Sequence, residues 1–358
     1  MKSFTLPSLR LILVTTALVV FTAVLTACAP LGTPAPAGET GAAAPAEDAA
    51  APVVVYSGRN ENLVGPLLER YDVGGGVEVR YGGTSEMAAT ILEEGNNSPA
   101  DVFFGQDAGA LGALARTGRC VELPASITEK VSPRFVSPDG RWVGVSGRAR
   151  TLVYNTDMLT EADLPASVFD LTGDAWTGTV GWAPTNGSFQ AFVTALRVNA
   201  GEDAARQWLE AMLDNGVQAY ANNTAIVEAV GKGEIAAGLV NHYYLYRFLA
   251  EDPDFPAANY YFPNGDLGAM INVAGVCVID TSVNQDAAIA LVDFLLSTEA
   301  QQYFADETNE YPLSGGDIAI NPAMRPLDEI DSPDFDLNDI EDLQGTLTLL
   351  QEVGALDQ

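Results

Sequence analysis

The sequence predicts an α/β fold of two lobes, each a mostly parallel sheet flanked by helices, with a ligand cleft between them. Three observations lead there. From Val53 onward, short apolar runs alternate with helically spaced segments, the pattern of repeated βαβ units. The body beyond an N-terminal leader and linker is about 300 residues, room for two lobes on one chain. A long apolar run, Met270 to Ile279, comes late enough to return the chain to the first lobe.

Met1 to Cys28 reads as a secretory signal: Lys2 and Arg10, then an apolar run from Leu11 to Ala27 that is short for a membrane-spanning helix. Leu25-Thr-Ala-Cys28 resembles a bacterial lipobox, which implies cleavage before Cys28 and lipid on its sulfur. Residues 29–52 hold ten Ala and five Pro. No core can be built from them, so they read as a flexible tether.

In the body, Val53 to Tyr56 is a buried strand. Leu63, Val64, Leu67, Leu68 and Tyr71 share a helical face over Glu61 to Tyr71. Val77 to Tyr81 alternates as a strand does. Ser85 to Glu94 is a helix with Ser85 as its cap. Ala100 to Phe104 is a third strand, followed by an alanine-rich helix through Arg116. Trp142 to Val145 and Thr151 to Tyr154 read as two strands around Gly147-Arg-Ala-Arg150, where the chain crosses to the second lobe. There follow strand Val180 to Ala183, a turn at Pro184 to Gly187, helices from Ser188 and over Glu202 to Asp214, and strand Val217 to Ala221. Helix Thr224 to Val230 leads to a strand from Ile235 to Val240. Asp286 to Phe304 makes two helices. The tail from Asp317 is acidic and closes with a helix over Leu343 to Val353. Parallel sheets bind ligands at their carboxyl strand ends, here Ser57 to Glu61, Gly82 to Glu86 and Gly105 to Asp107.

The formal charge of −31 argues against nucleic acid and anionic membrane surfaces as partners. The acids are dispersed, so a cation funnel and an adaptation to solubility or salt both fit. Beyond Cys28 the only cysteines are Cys120 and Cys277. An oxidising compartment permits a disulfide, but sequence does not give their separation, so a bond and two buried thiols both stay open. His242 is the only histidine, which excludes a histidine-rich zinc site and leaves a serine hydrolase one possible base. No G-x-S-x-G elbow and no phosphate-binding G-x-x-x-x-G-K-[ST] loop occurs.

The most informative stretch is Asn241 to Arg247. It leaves a buried strand and enters a helix, whose first turn sets Tyr243 and Tyr244 about 100° apart. Both hydroxyls can then converge beside the strand end. Phenolate is a hard anionic donor, suited to a hard cation such as Fe(III). Hinge or core packing of the aromatics fits the same pattern.

Taken in order, Val55-Tyr-Ser-Gly-Arg59, Ser98-Pro-Ala-Asp-Val-Phe-Phe104, Val145-Ser-Gly-Arg-Ala-Arg150, Pro184-Thr-Asn-Gly187, Tyr220-Ala-Asn-Asn223, Asn241 to Tyr244 and Glu310-Tyr-Pro-Leu313 resemble the ferric-ion-binding receptors of bacterial ABC transporters. The resemblance runs from Val53 to about Leu350. It implies a two-lobe, type II periplasmic-binding-protein fold that closes by a hinge. The implied boundaries are signal 1–27, lipidated Cys28 and tether 28–52, lobe one 53–149 and 271–314, lobe two 150–270, and tail 315–358.

The resemblance further implies a binding protein and not an enzyme. It would be a monomer, lipid-anchored outside the cytoplasmic membrane, that carries Fe3+ to a membrane permease. The family's tyrosine pair falls on Tyr243 and Tyr244. Its first-lobe histidine, and the tyrosine that some members place next, fall on Asn60 and Glu61. A glutamate ligand falls on Gln106, and a third tyrosine on Phe189, which cannot ligate. Asn60, Glu61 and Gln106 are therefore the oxygen donors expected from lobe one, with Asp107 or Glu86 in reserve. A synergistic anion, carbonate or phosphate, would sit on Asn186, Gly187, Ser188, Asn223 and Asn241, with Arg59 where some members hold carbonate. Because the lobe-one donors differ, a receptor for an oxyanion, a polyamine or an iron chelate is the alternative. A hydrolase working through His242 is a remoter one.

Overall fold

The computed structural model describes residues 51–357. The signal, Cys28 and the tether up to Ala50 lie outside the described residues. Ala51 and Pro52, which close the tether, are exposed and irregular.

The strands and helices follow in chain order as β1 (Val53–Ser57), α1 (Glu61–Leu68), β2 (Val77–Tyr81), α2 (Thr84–Glu94), β3 (Val102–Gly105), α3 (Ala108–Arg116), α4 (Ala125–Thr128) and β4 (Val143–Asn155). Then come β5 (Val180–Trp182), α5 (Gly187–Ala200), α6 (Glu202–Asp214), β6 (Gln218–Ala219), α7 (Asn223–Gly231), β7 (Ala237–Asn241) and α8 (Tyr243–Glu251). The chain ends through β8 (Ala257–Tyr260), β9 (Ile271–Val278), α9 (Gln285–Leu295), α10 (Thr298–Glu307), β10 (Tyr311–Pro312) and α11 (Leu343–Glu352).

The expected βαβ units are present. β1 pairs in parallel with β2 and β3, and β5 in parallel with β6 and β7. The middle of the sheet is antiparallel, in the order β2-β1-β3-β9-β4-β7-β5-β6. β4 is one unbroken strand of 13 buried residues rather than two runs about a crossing loop. Its first half pairs with β9 and β10, and its second half with β7 and β8. Gly147 to Arg150 read as a loop because two arginines interrupt the apolar pattern. Both arginines are nonetheless buried, and the ladder continues through them. β8 and β10 have no clear sequence signature; their places are set by β4's need for partners.

One detail departs from the sequence reading and two complete it. Gly83, not Ser85, caps α2, and its N–H is bound by the Glu86 carboxylate at 3.2 Å. Cys120 and Cys277 form a disulfide with Cα atoms 5.6 Å apart, which settles that question for the bond. The acidic tail is packed down: Leu337, Ile340, Leu349 and Leu350 are buried. The Ile340 carbonyl and the Glu341 side chain lie against Gly109 and Gly112 of α3. Asp342 and Thr346 bind Arg197 and Thr194 of α5.

Gly109 is small because a methyl group there would lie 2.7 Å from the Ile340 oxygen. Gly109→Ala is expected to destabilise the fold by about 1–3 kcal/mol through overpacking. Urea unfolding checks this: the midpoint should fall, and it should fall much less for Ala113→Ser, one turn further along the same helix.

Candidate tyrosine site in the cleft

The carboxyl ends of β1, β3 and β7 deliver the side chains that the sequence singles out. β7 ends at Asn241, His242 joins it to α8, and Tyr243 and Tyr244 open the helix. Their rings stack with centroids 4.3 Å apart and planes at 29°. Tyr243 is fully buried, and apart from Tyr244 its hydroxyl has no hydrogen-bond partner. The Tyr244 phenol is held well above its ordinary pKa, first by burial, then by Tyr243 beside it. Arg59 and Arg148 pull the other way. Without a ligand the Tyr244 phenol stays protonated at pH 7.

Arg59 is buried and not on the surface. Its Nη2 is ion-paired to Glu310, whose second oxygen accepts from Ser146 Oγ. Burial works against the Arg59 charge, but Glu310, and more weakly Tyr243 and Tyr244, raise its pKa overall. Glu310 belongs to a motif picked out above, yet nothing in the sequence names it as the partner of a residue 251 positions away. Arg148 and Arg150 project from β4. Arg148 donates to the Val273 carbonyl at 3.0 Å and keeps Nε and Nη1 unpartnered. Arg150 lies over Phe189 and Phe192, at 5.2 and 4.6 Å, and donates weakly to the carbonyls of Ser188 and Leu239. Burial, with Arg148 nearby, lowers its pKa to about 9. Phe189 therefore packs under a guanidinium where a third phenol was considered.

The anion candidates are partly assembled. Asn186 caps α5, its oxygen accepting from the Ser188 N–H at 3.1 Å and the Ser188 hydroxyl at 2.6 Å. Asn241 Nδ2 donates to Ser188 Oγ at 3.2 Å. Gly187 faces Thr84 and Asp107 of the first half: a methyl on it would lie 2.9 Å from Asp107 Oδ2. Ser85 Oγ also bonds Gln190, so the cleft is closed at this edge. Asn223 is buried with its amide nitrogen unpartnered, while the neighbouring Asn222 caps α7.

The lobe-one donors separate. The Asn60 oxygen caps α1 by accepting the Asn62 N–H at 2.9 Å. Glu61 is exposed and lies beside Tyr81, in a groove shared with Glu69 and Asp72. Among the described residues, no hydrogen bond ties Asn60 or Glu61 to the tyrosine pair. Gln106 differs: its Nε2 donates to the Gly58 carbonyl at 2.6 Å, which leaves Oε1 buried and unpartnered. Asp107 Oδ1 caps α3, and Oδ2 is also free. Burial raises that carboxyl to about 6, against the pull of the Ala110 N–H and Arg148. Sequence gives no sign of Asp107's exposure to the facing turn; that takes the packing of α5.

His242 is a core residue. The Ala149 N–H donates to Nδ1 at 3.2 Å, so Nε2 carries the proton and donates to the Asn309 carbonyl at 2.9 Å. The ring stacks on Tyr311 at 4.7 Å. With both nitrogens spent on backbone, it has no free lone pair for a nucleophile, which removes the hydrolase reading's only base.

Residues 97–336 match the family of the bacterial extracellular solute-binding proteins. The chain belongs to that family. This solute-binding protein is 32% identical over 309 residues to a Fe(3+)-binding periplasmic protein of Serratia marcescens, covering 85% of this chain and 90% of the relative. It is 31% identical over 315 residues to the major ferric iron-binding protein of Neisseria meningitidis, covering 86% and 95%. Iron-bound HitA of Pseudomonas aeruginosa shares its fold with a TM-score of 0.80 and 32% identity, over 84% of this chain and 99% of that one. The two-lobe α/β architecture expected from the sequence is thus the architecture of this family.

Burial lowers the His242 pKa from its ordinary 6.5 to about 4. The unfolded chain therefore binds the extra proton first as pH falls from about 6.5 to about 4, so stability drops across that window. The loss reaches about 3 kcal/mol for this one group. His242→Asn should flatten the dependence of the melting temperature on pH between 7 and 4, whatever its effect on stability at pH 7.

Proposed function

We propose that this protein is an extracytoplasmic Fe(III) receptor of an ABC transporter, binding the ion through Tyr243 and Tyr244 and handing it to a membrane permease. The observation that carries this is the buried, stacked pair at the strand ends, whose Tyr243 hydroxyl meets Tyr244 and has no other hydrogen-bond partner. Two buried phenols that have mainly each other leave oxygen lone pairs and a proton unspent, and buried polar atoms are normally bonded, so the pair points to a missing partner. Relatives named for ferric iron support the choice of cation. Gln106 Oε1 supplies a third oxygen from the facing half.

Arg59 and Arg148 next to the phenols stabilise phenolate but repel a bare cation. A synergistic anion, carbonate or phosphate, resolves that conflict. In this reading it sits on Ser188, Asn223 and Asn241, beside the α5 N-terminus. The protein works as a monomer, held at the outer face of the membrane by lipid on Cys28. An oxyanion receptor of the same fold is the second reading, favoured by the unpartnered nitrogens of Arg148 and Asn223. Adding ferric iron separates the two: a visible phenolate charge-transfer band belongs only to the first.

Iron takes phenolates, and burial holds Tyr244 protonated until the ion arrives. Loading should release protons into weak buffer, and affinity should fall as pH falls. Tyr243→Phe and Tyr244→Phe should each lose the band and weaken iron by more than about 100-fold, because even outer-shell changes cost 10–100-fold. Tyr246→Phe should keep the band, its hydroxyl being spent on the Ala323 carbonyl. If both phenylalanine variants bind like the parent, the ferric reading fails.

The lobe-one donor is tested separately. Gln106→Ala should weaken iron by about tenfold or more, and Glu61→Ala should leave it unchanged. Equal binding by Gln106→Ala would leave that half contributing only water or the anion.

A further inference from the structure

Glu310 lies just before β10 and is fully buried. Both of its oxygens are committed: one is ion-paired to Arg59 Nη2, and the other accepts from Ser146 Oγ. Its backbone is fixed as firmly. The Glu310 N–H donates to the Phe304 carbonyl at 2.9 Å. On one side of it the Asn309 carbonyl accepts from His242 Nε2 at 2.9 Å. On the other, Tyr311 pairs with Gly147 of β4 and stacks on the His242 ring. His242 directly precedes Tyr243. One short segment, 309–311, thus anchors the tyrosine turn and carries the counter-charge of Arg59.

That counter-charge bears on the site because Arg59 lies within the field of both phenols. Paired with Glu310, Arg59 brings them a dipole; alone it would bring a full positive charge. Loading a trivalent cation onto two phenolates brings in three positive charges and releases two protons. The site therefore gains one positive charge. A lone guanidinium beside it opposes that gain and favours an anion.

We propose that Glu310 is a positioning residue that sets the preference of the cleft for a cation over an anion, by holding Arg59 in place and cancelling its charge. The cation half of this rests on the ferric reading of Tyr243 and Tyr244; the anion half does not.

The full-length protein is titrated in degassed, phosphate-free buffer, with ferric nitrilotriacetate as the iron source and inorganic phosphate as the anion. Glu310→Gln should weaken iron by about tenfold or more, and it should tighten phosphate on the iron-free protein by a similar factor. Added phosphate should rescue iron loading more in Glu310→Gln than in the parent, because the anion replaces the lost charge. The double variant, Arg59→Gln with Glu310→Gln, removes both charges and should bind iron more tightly than Glu310→Gln alone. A role in packing alone gives the opposite order, since two changes in the core are worse than one. Ser146→Ala keeps the carboxylate and loses one hydrogen bond, so it should keep the parent's preference. Circular dichroism checks each fold. If Glu310→Gln does not fold, Glu310→Asp, which keeps the charge on a shorter stem, is compared with the double variant, and it should hold phosphate no more tightly than the parent does. The proposal is overturned if Glu310→Gln binds phosphate no more tightly than the parent, if Glu310→Asp binds it more tightly, or if the double variant binds iron more weakly than Glu310→Gln. A parent without an iron band removes the ferric reading and leaves the phosphate comparison to decide the role of Glu310.

Discussion

Thirteen consecutive buried residues in β4 carry backbone donors and acceptors that must all be satisfied away from water. That obligation organises the body. One half of the strand takes β9 and β10, the other β7 and β8. Parallel units attach outside these, β1 to β3 through β9 and β5 to β6 through β7. The changeover between the two sets of partners falls at Arg148 to Arg150. Side chains at that point reach the ends of the neighbouring strands, so buried arginines and the tyrosine turn meet there. In register, Arg150 stands opposite Asn241, the residue that leads into the pair.

Burying Arg59, Arg148 and Arg150 in one region would be prohibitive without compensation. Glu310 compensates Arg59 directly. Arg150 is relieved by aromatic faces and carbonyls, and Arg148 by the Val273 carbonyl and the field of Asp107. The balance stays positive on the side of the cleft where Tyr243 and Tyr244 lie.

Much of this was legible in the sequence, because periodicity reports burial and the parallel units bury simple apolar faces. The helices fall within a few residues of their expected bounds, and α8 opens at the tyrosines as expected. What escaped depended on distant chain. β8 and β10 are short and exist only as partners of β4. Ser85 is a better cap by type than Gly83, but the Glu86 carboxylate already satisfies the Gly83 N–H. Tyr243 and Tyr244 could be singled out because neighbours on a helix need no tertiary information. Asn60 and Gln106 could not be told apart by type: both are amides beside a strand end. Their difference lies in which oxygen a local N–H consumes.

The packed tail carries a mechanical consequence. Within a few residues, Ile340 and Glu341 lie on α3, while Asp342 and Thr346 grip α5. The segment is a clasp between the helix that follows β3 and the helix that follows β5. A rotation that parted those helices evenly would have to strip one set of these contacts. A rotation whose axis passes near residues 340–346 would keep them. Any opening of the cleft that spares these contacts has to keep α3 and α5 together at residues 340–346.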